Sequence, residues 1–165
     1  MKREDMNFLP ISVNITNKRI LIIGGGRVGY HKATILHRFT NEAFVISPEF
    51  HEGFDKLPFI RIQKTYDKSD LIGAFLVYVC TENKELNARV KADAEALGVM
   101  TSVCDDPELC DFVSPAIYKN DHITVAVSSN ARDVYQSIDI RNQVHQLVQE
   151  GVIDLERRKI ERKIY

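Results

Sequence analysis

Apolar positions along this 165-residue chain switch between a short strand-like period and a helical one, and the switches divide it into consecutive elements. Ile11, Val13 and Ile15 alternate with polar residues, the pattern of a half-exposed edge strand entering the domain. Arg19 to Ile23 is a short continuous apolar run, which a parallel strand covered on both faces requires. Beyond the glycines that follow, Val28, Ala33, Ile35 and Leu36 recur near helical spacing until about Phe39 to Asn41. Ala43 to Ile46 predicts the next strand, closed by Ser47-Pro48 because proline supplies no ladder donor. Pro58 to Ile62 predicts another, and Ala74 to Cys80 (AFLVYVC) a buried one. Thr81-Glu82-Asn83 then caps a helix from Lys84 to Leu97 with Leu86, Val90, Ala94 and Leu97 on one face. Gly98 stops it, and Val99 to Cys104 is a further strand. Alternation of strand and helix implies a parallel sheet wound by right-handed crossovers.

From Asp105 the pattern changes. Pro107 and Pro115 bracket an irregular stretch, Ile123 to Val127 reads as a strand, and Val134 to Val148 reads as an amphipathic helix using Val134, Ile138, Val144 and Val148. The last residues, DLERRKIERKIY, read as a short charged helix, solvated or packed on a partner. With no repeat, low-complexity tract or Gly/Ser linker, the expected organisation is one main domain over residues 1–111 and a smaller region over 112–165.

Composition narrows the function classes. A hydrophobic content of 44% supplies one full core, and 22 Lys and Arg against 23 Asp and Glu leave a net charge of -1, with no global field to attract nucleic acid or a membrane. Any anionic ligand must be held by local cations. The longest apolar run falls far short of the ~20 residues that span a bilayer, and the charged N-terminus lacks a signal-like apolar core. Cys80, Cys104 and Cys110 are odd in number without a CxxC pair, which fits a reducing, cytoplasmic setting. Five scattered histidines and no metal-spaced cluster predict no structural metal.

The stretch GGGRVGYHKA places Gly24, Gly26 and Gly29 in a G-x-G-x-x-G pattern between a predicted strand and a predicted helix. In a dinucleotide site the first glycine permits the tight turn, the second lets the backbone approach a pyrophosphate at the helix N-terminus, and the third lets helix and strand pack closely. The same glycines could simply make a tight turn, and both readings stand at this level. The acidic group for the adenosine ribose should lie ~20 residues on, where Ser47 ends the second strand and Glu49 follows. Glu49 could accept from ribose hydroxyls or be a solvated loop residue; with no Arg after the strand, NAD is favoured over NADP.

Seven motifs in order, LPI (9–11), GGGRVGYHKA, VISPE (45–49), CTENKELN (80–87), SVCDDP (102–107), FVSPAI (112–117) and ITVAVSS (123–129), resemble the precorrin-2 dehydrogenase family. These are the oxidase/ferrochelatase domains of siroheme synthases. The resemblance spans about residues 7 to 130. It implies an α/β Rossmann-type parallel sheet, a small β dimerisation region, a short C-terminal helical part and a homodimer. The implied chemistry is NAD-dependent dehydrogenation of precorrin-2 to sirohydrochlorin, with insertion of ferrous iron, as a substrate, in many members. By position, Gly24, Gly26, Arg27, Val28 and Gly29 would hold the pyrophosphate. Ser47, Pro48 and Glu49 would meet the adenosine side, Thr81 would sit at the lip of the fourth strand, and the family's essential aspartate falls on Asp105.

Independently of the resemblance, Asp105 lies just past a strand's carboxyl end, where open parallel sheets place ligands. Oxidising a reduced tetrapyrrole needs a base for the proton that departs with the hydride. The alternative makes Asp105 or Asp106 an ordinary turn former before Pro107. Precorrin-2 carries eight carboxylates; Lys32, Lys119, Arg132 and Arg141 are candidate counterions, each equally readable as a solvated cation. His31 is a candidate ligand or base, or an exposed helix residue.

Two departures from the family pattern bear on the substrate side. Asn130-Ala131-Arg132-Asp133 stands where members commonly have a glycine and Ser-Pro, and Gly29 stands where alanine is frequent, an exchange the fingerprint accepts. The competing function is a non-catalytic NAD-binding sensor or partner subunit that kept the glycine loop and lost the tetrapyrrole site.

Overall fold

The protein's structure, a computed structural model, describes residues 6–155. The chain divides into two compact units between Val113 and Ser114.

The first unit is built on five parallel strands: β1 (Ile20–Gly25), β2 (Phe44–Phe50), β3 (Ile60–Gln63), β4 (Leu76–Val79) and β5 (Met100–Val103), in the order β3-β2-β1-β4-β5. Helix α1 (Arg27–His37) links β1 to β2, and α2 (Lys84–Ala96) links β4 to β5. The chain leaves β1 toward β2 on one side and reaches β4 on the other, so order reverses between β1 and β4 and opens a crevice at their carboxyl ends. Every residue of β1 is buried, as the continuous apolar run requires of a strand covered on both faces. One core packs Leu21, Ile23, Ile46, Val77 and Val79 with Val90 and Ala94 of α2; the other packs Ile20, Ile22, Val45 and Leu76 with Ala33 and Leu36 of α1.

Several expectations are corrected. Residues 11–15 form no strand. The Asn14 side chain accepts from the Thr16 N–H, and Asn17 turns the chain at φ 57, so local bonds replace a ladder and leave Ile11 exposed. Strand β2 does not stop at Ser47-Pro48 but continues to Phe50. Pairing with β1 is irregular between Ile23 and Gly25, and this bulge accommodates a proline that has no N–H to donate. Leu97, expected on the buried face of α2, caps its end and is exposed. Asn83 provides the N-cap, its side chain accepting from the Leu86 N–H at 3.0 Å.

The second unit pairs β6 (Ala116–Asn120) and β7 (Ile123–Val127) as an antiparallel hairpin on which α3 (Val134–Gln149) packs. Strand β6 has no counterpart in the sequence pattern, where Pro115 and the Lys119-Asn120 end mask a five-residue strand. Val134, expected on the packed face of α3, is exposed. Asp154 and Leu155 are irregular, and the rest of the expected C-terminal helix lies outside the described residues.

Candidate functional site

The glycine loop closes the carboxyl end of β1, and each of its glycines meets a different demand. Gly24 sits at φ +107, a conformation L side chains rarely adopt, and a Cβ there would stand 2.6 Å from the Cys80 carbonyl oxygen. Gly29, in the first turn of α1, lies so close to β1 that a Cβ would collide with the Gly24 carbonyl. Alanine at Gly29 would therefore require β1 and α1 to shift apart. Gly26 is different: its φ is an ordinary -73° and nothing lies within 4 Å of where its Cβ would be. It forms the N-cap of α1, with no side-chain cap bond and no acidic residue in the first turn. The positive end of the helix and its leading N–H groups thus face open space, a cradle that fits a pyrophosphate and that a Cβ would narrow. Arg27 and Val28 are exposed beside it.

The end of β2 forms one wall. Ser47 is buried, Pro48 and Glu49 are exposed, and a Cβ on Gly25 would strike the Glu49 carbonyl and the Ser47 Cβ. Glu49 is thereby held beside the loop with its side chain in solvent, where a ribose could reach it.

At the end of β4, Thr81 serves the turn into α2. Its hydroxyl donates to the Asn87 Oδ1 at 2.5 Å, while the Asn87 Nδ2 donates to the Thr81 carbonyl at 2.9 Å. Asn87 is a buried polar residue that sequence reasoning missed; the only signal was its place in CTENKELN, on the α2 face turned to the strand end.

At the end of β5, the Asp106 N–H donates to the Val103 carbonyl at 3.3 Å, closing a four-residue turn whose third residue is Asp105, left-handed at φ 67. Aspartate, like asparagine, tolerates that conformation better than most side chains, and glycine better still, since a Cβ in the left-handed region costs about 1–2 kcal/mol. Asp106 is the N-cap residue of the Pro107–Leu109 turn. The carboxylate of Asp105 is exposed.

Cys80 and Cys104, which follow β4 and β5 directly, bring their sulfur atoms within 2.9 Å of each other. Nothing in their spacing of 24 residues announces the pair.

The structure places the basic candidates in both units. In the first, Lys32 stands with its Nζ 5.8 Å from the Tyr78 ring centroid, and His31 is exposed. In the second, Lys119 donates to the Asp121 carbonyl in the hairpin turn, and Arg141 donates to the Ile117 carbonyl at 3.2 Å, tying α3 to β6. Arg132 is exposed in the loop before α3, where Asn130 and Ala131 are both left-handed. Among the described residues no cluster of His, Cys, Asp and Glu could hold a metal ion.

Residues 11–116 match the family model NAD_binding_7, described as "Putative NAD(P)-binding". A siroheme synthase of Psychrobacter sp. (strain PRwf-1) is 35% identical over 150 residues, covering 88% of this chain and 31% of that protein. A siroheme synthase of Nitrosococcus oceani is 35% identical over 128 residues, covering 75% of this chain and 27% of that protein. The chain thus spans about three-tenths of the length of these curated relatives. In fold it is similar to the solved structure of SirC, precorrin-2 dehydrogenase, with a TM-score of 0.73 and 14% identity over 94% of this chain and 84% of that one. The glycine loop, the strand order and the match over most of the first unit agree, and the chain belongs to the NAD(P)-binding family of that model, as a homologue of siroheme synthases.

Proposed function

We propose that this chain is an NAD-dependent precorrin-2 dehydrogenase that forms sirohydrochlorin in siroheme biosynthesis, working in the cytoplasm as a homodimer. The observation that carries the dinucleotide part is Gly26, where nothing lies within 4 Å of the position a Cβ would take. Its missing Cβ keeps the N-terminus of α1 open, and the helix dipole and free N–H groups favour a pyrophosphate there. Arg27 adds a cation at the same end. Glu49 accepts from the adenosine ribose hydroxyls, and the exposed Glu49 carboxylate beside the loop disfavours a 2'-phosphate, which supports NAD over NADP.

Bound at this edge, NAD supplies a hydride acceptor. The chain's own contribution is a base: Asp105, projecting from the end of β5, takes the proton that the reduced tetrapyrrole loses as its hydride departs, so two hydrogens leave the substrate as hydride and proton. Thr81 and Asn87 fix the end of β4 through their paired hydrogen bonds, at the edge that would hold NAD. Lys32, on α1 after the glycine loop, is the cation of the first unit proposed for the substrate carboxylates. Three cysteines without a disulfide suit a reducing compartment, and among the described residues no helix is long and apolar enough to cross a membrane.

The test is anaerobic incubation of the purified protein with precorrin-2 and NAD, following sirohydrochlorin and NADH together. Both products should form in equal amounts, with ferrous iron as the next addition. Gly26→Ala, expected to cost under about 1 kcal/mol in stability, should lose dinucleotide affinity and turnover together. NAD binding without turnover in the wild-type protein would favour the non-catalytic sensor or partner subunit.

A further inference from the structure

We propose that Cys80 and Cys104 are a redox-active dithiol, which a low-molecular-weight disulfide of the glutathione class converts into a cross-strand disulfide at the carboxyl edge of the sheet. The geometry is that of neighbouring parallel strands in register. Val79 pairs with Val103, the Cys104 N–H donates to the Val79 carbonyl at 2.8 Å, and Cys80 and Cys104 are the next residues on each strand. Adjacent strands lie about 4.8 Å apart, inside the range of Cα separations that disulfides span. The sulfur atoms are 2.9 Å apart, so closing the bond to about 2.05 Å asks for less than about 1 Å of movement.

The two thiols are chemically unequal, as an attacking and a resolving cysteine must be. Cys104 is half-buried, and the hydrogen bond it shares with Cys80 lowers its pKa, with the Lys32 ammonium on α1 acting in the same direction against burial and the Asp105 carboxylate. Cys80 is buried in the α1-side core; the shared hydrogen bond and its burial both push its thiol up. Cys104 thiolate therefore attacks one sulfur of the small disulfide and releases a thiolate. That thiolate takes the Cys80 proton, and Cys80 sulfur attacks Cys104 in the mixed disulfide, releasing the second small thiol. The protein loses two protons and two electrons; the small disulfide takes them up and leaves as two thiols.

Cys110 is no competitor. It packs against the other core, where its sulfur accepts from the Val103 N–H at 3.1 Å and donates to the Val103 carbonyl. The Cys80 carbonyl is the surface on which Gly24 rests, and Thr81 and Asp105 are the residues next in chain. A cross-link here lies under the proposed cofactor edge; that consequence, unlike the disulfide itself, rests on the proposed function.

The experiment titrates the fully reduced full-length chain with oxidised glutathione, reading intact mass, free thiols and a peptide map. Free thiols should fall from three to one, with loss of two hydrogens and a Cys80–Cys104 linked peptide. Cys110→Ser should behave the same, and Cys80→Ala should stop at glutathione attached to Cys104. Before oxidation, iodoacetamide should label Cys104 first, with a rate that rises at lower pH than for an ordinary thiol. Three thiols surviving, a stable glutathione adduct in the wild-type chain, or pairing through Cys110 would overturn the proposal. Repeating the titration with NAD present separates the two readings. Slower exchange supports a dinucleotide over Cys104, and an unchanged rate with the disulfide still forming counts against the dinucleotide placement alone.

Discussion

In the first unit all six residues of β1 are buried and two apolar cores close on both faces of one sheet; in the second no residue of β7 is buried and β6 buries only Tyr118. Helix α1 turns Ala33 and Leu36 inward, whereas α3 leaves Tyr135, Ile140 and Leu147 in solvent and buries a serine, Ser137. The contrast separates two jobs. A unit that satisfies its own apolar surface can keep a rigid, exposed carboxyl edge for a ligand. A unit that does not leaves apolar side chains open, and Ile140 and Leu147 lie seven residues apart on one face of α3, where the proposed homodimer would cover them.

The sharpest way to break this division is Asp105→Gly. If the first unit's edge carries the chemistry, precorrin-2 turnover should fall about 10²–10⁴-fold, the usual worth of a general base, while the left-handed turn is relieved and thermal stability holds or rises. A variant that keeps its turnover would return Asp105 to the role of turn former. Next in size, Ile140→Asp combined with Leu147→Asp should weaken a dimer on the order of 100-fold, since each apolar side chain withdrawn from an interface costs roughly 1.5–3 kcal/mol. Sedimentation or light scattering would show monomers, with NAD binding by the first unit retained. If the wild-type chain is already monomeric, the assignment of the second unit to self-association fails.

Gly29→Ala sharpens the comparison from the packed side. Overpacking β1 against α1 should cost about 1–3 kcal/mol in denaturant unfolding and weaken NAD, with no change in oligomeric state. The smallest effect is expected at Ala131→Gly. Glycine relieves a left-handed alanine at φ 60 and loses part of that gain to the unfolded chain, leaving about 0.5 kcal/mol of added stability confined to the second unit.

Much of the first unit was legible because its signals are local. A continuous apolar run is what a doubly covered strand needs, and Gly98, at φ +68, ends α2 where a left-handed residue is called for. Where the reading failed, a contact that periodicity does not report had decided the outcome. Ile11, Val13 and Ile15 alternate properly, but a strand needs a partner and Asn14 offered the backbone a nearer bond. Pro48 looked like a strand end, and the bulge against β1 let the strand pass it. The basic candidates were chosen by charge and by place along the chain, and Arg141 donates to the carbonyl of Ile117.

The sequence by itself determined the α/β alternation, the glycine loop between β1 and α1, and the placing of Glu49, Thr81 and Asp105 near strand ends, because periodicity, capping and backbone sterics act over a few residues. Tertiary structure alone decided that a Cβ at Gly29 would strike the Gly24 carbonyl while Gly26 has room for one, and that Cys80 meets Cys104. Each depends on how closely two segments approach once the sheet is assembled, a distance that no local pattern of residues encodes.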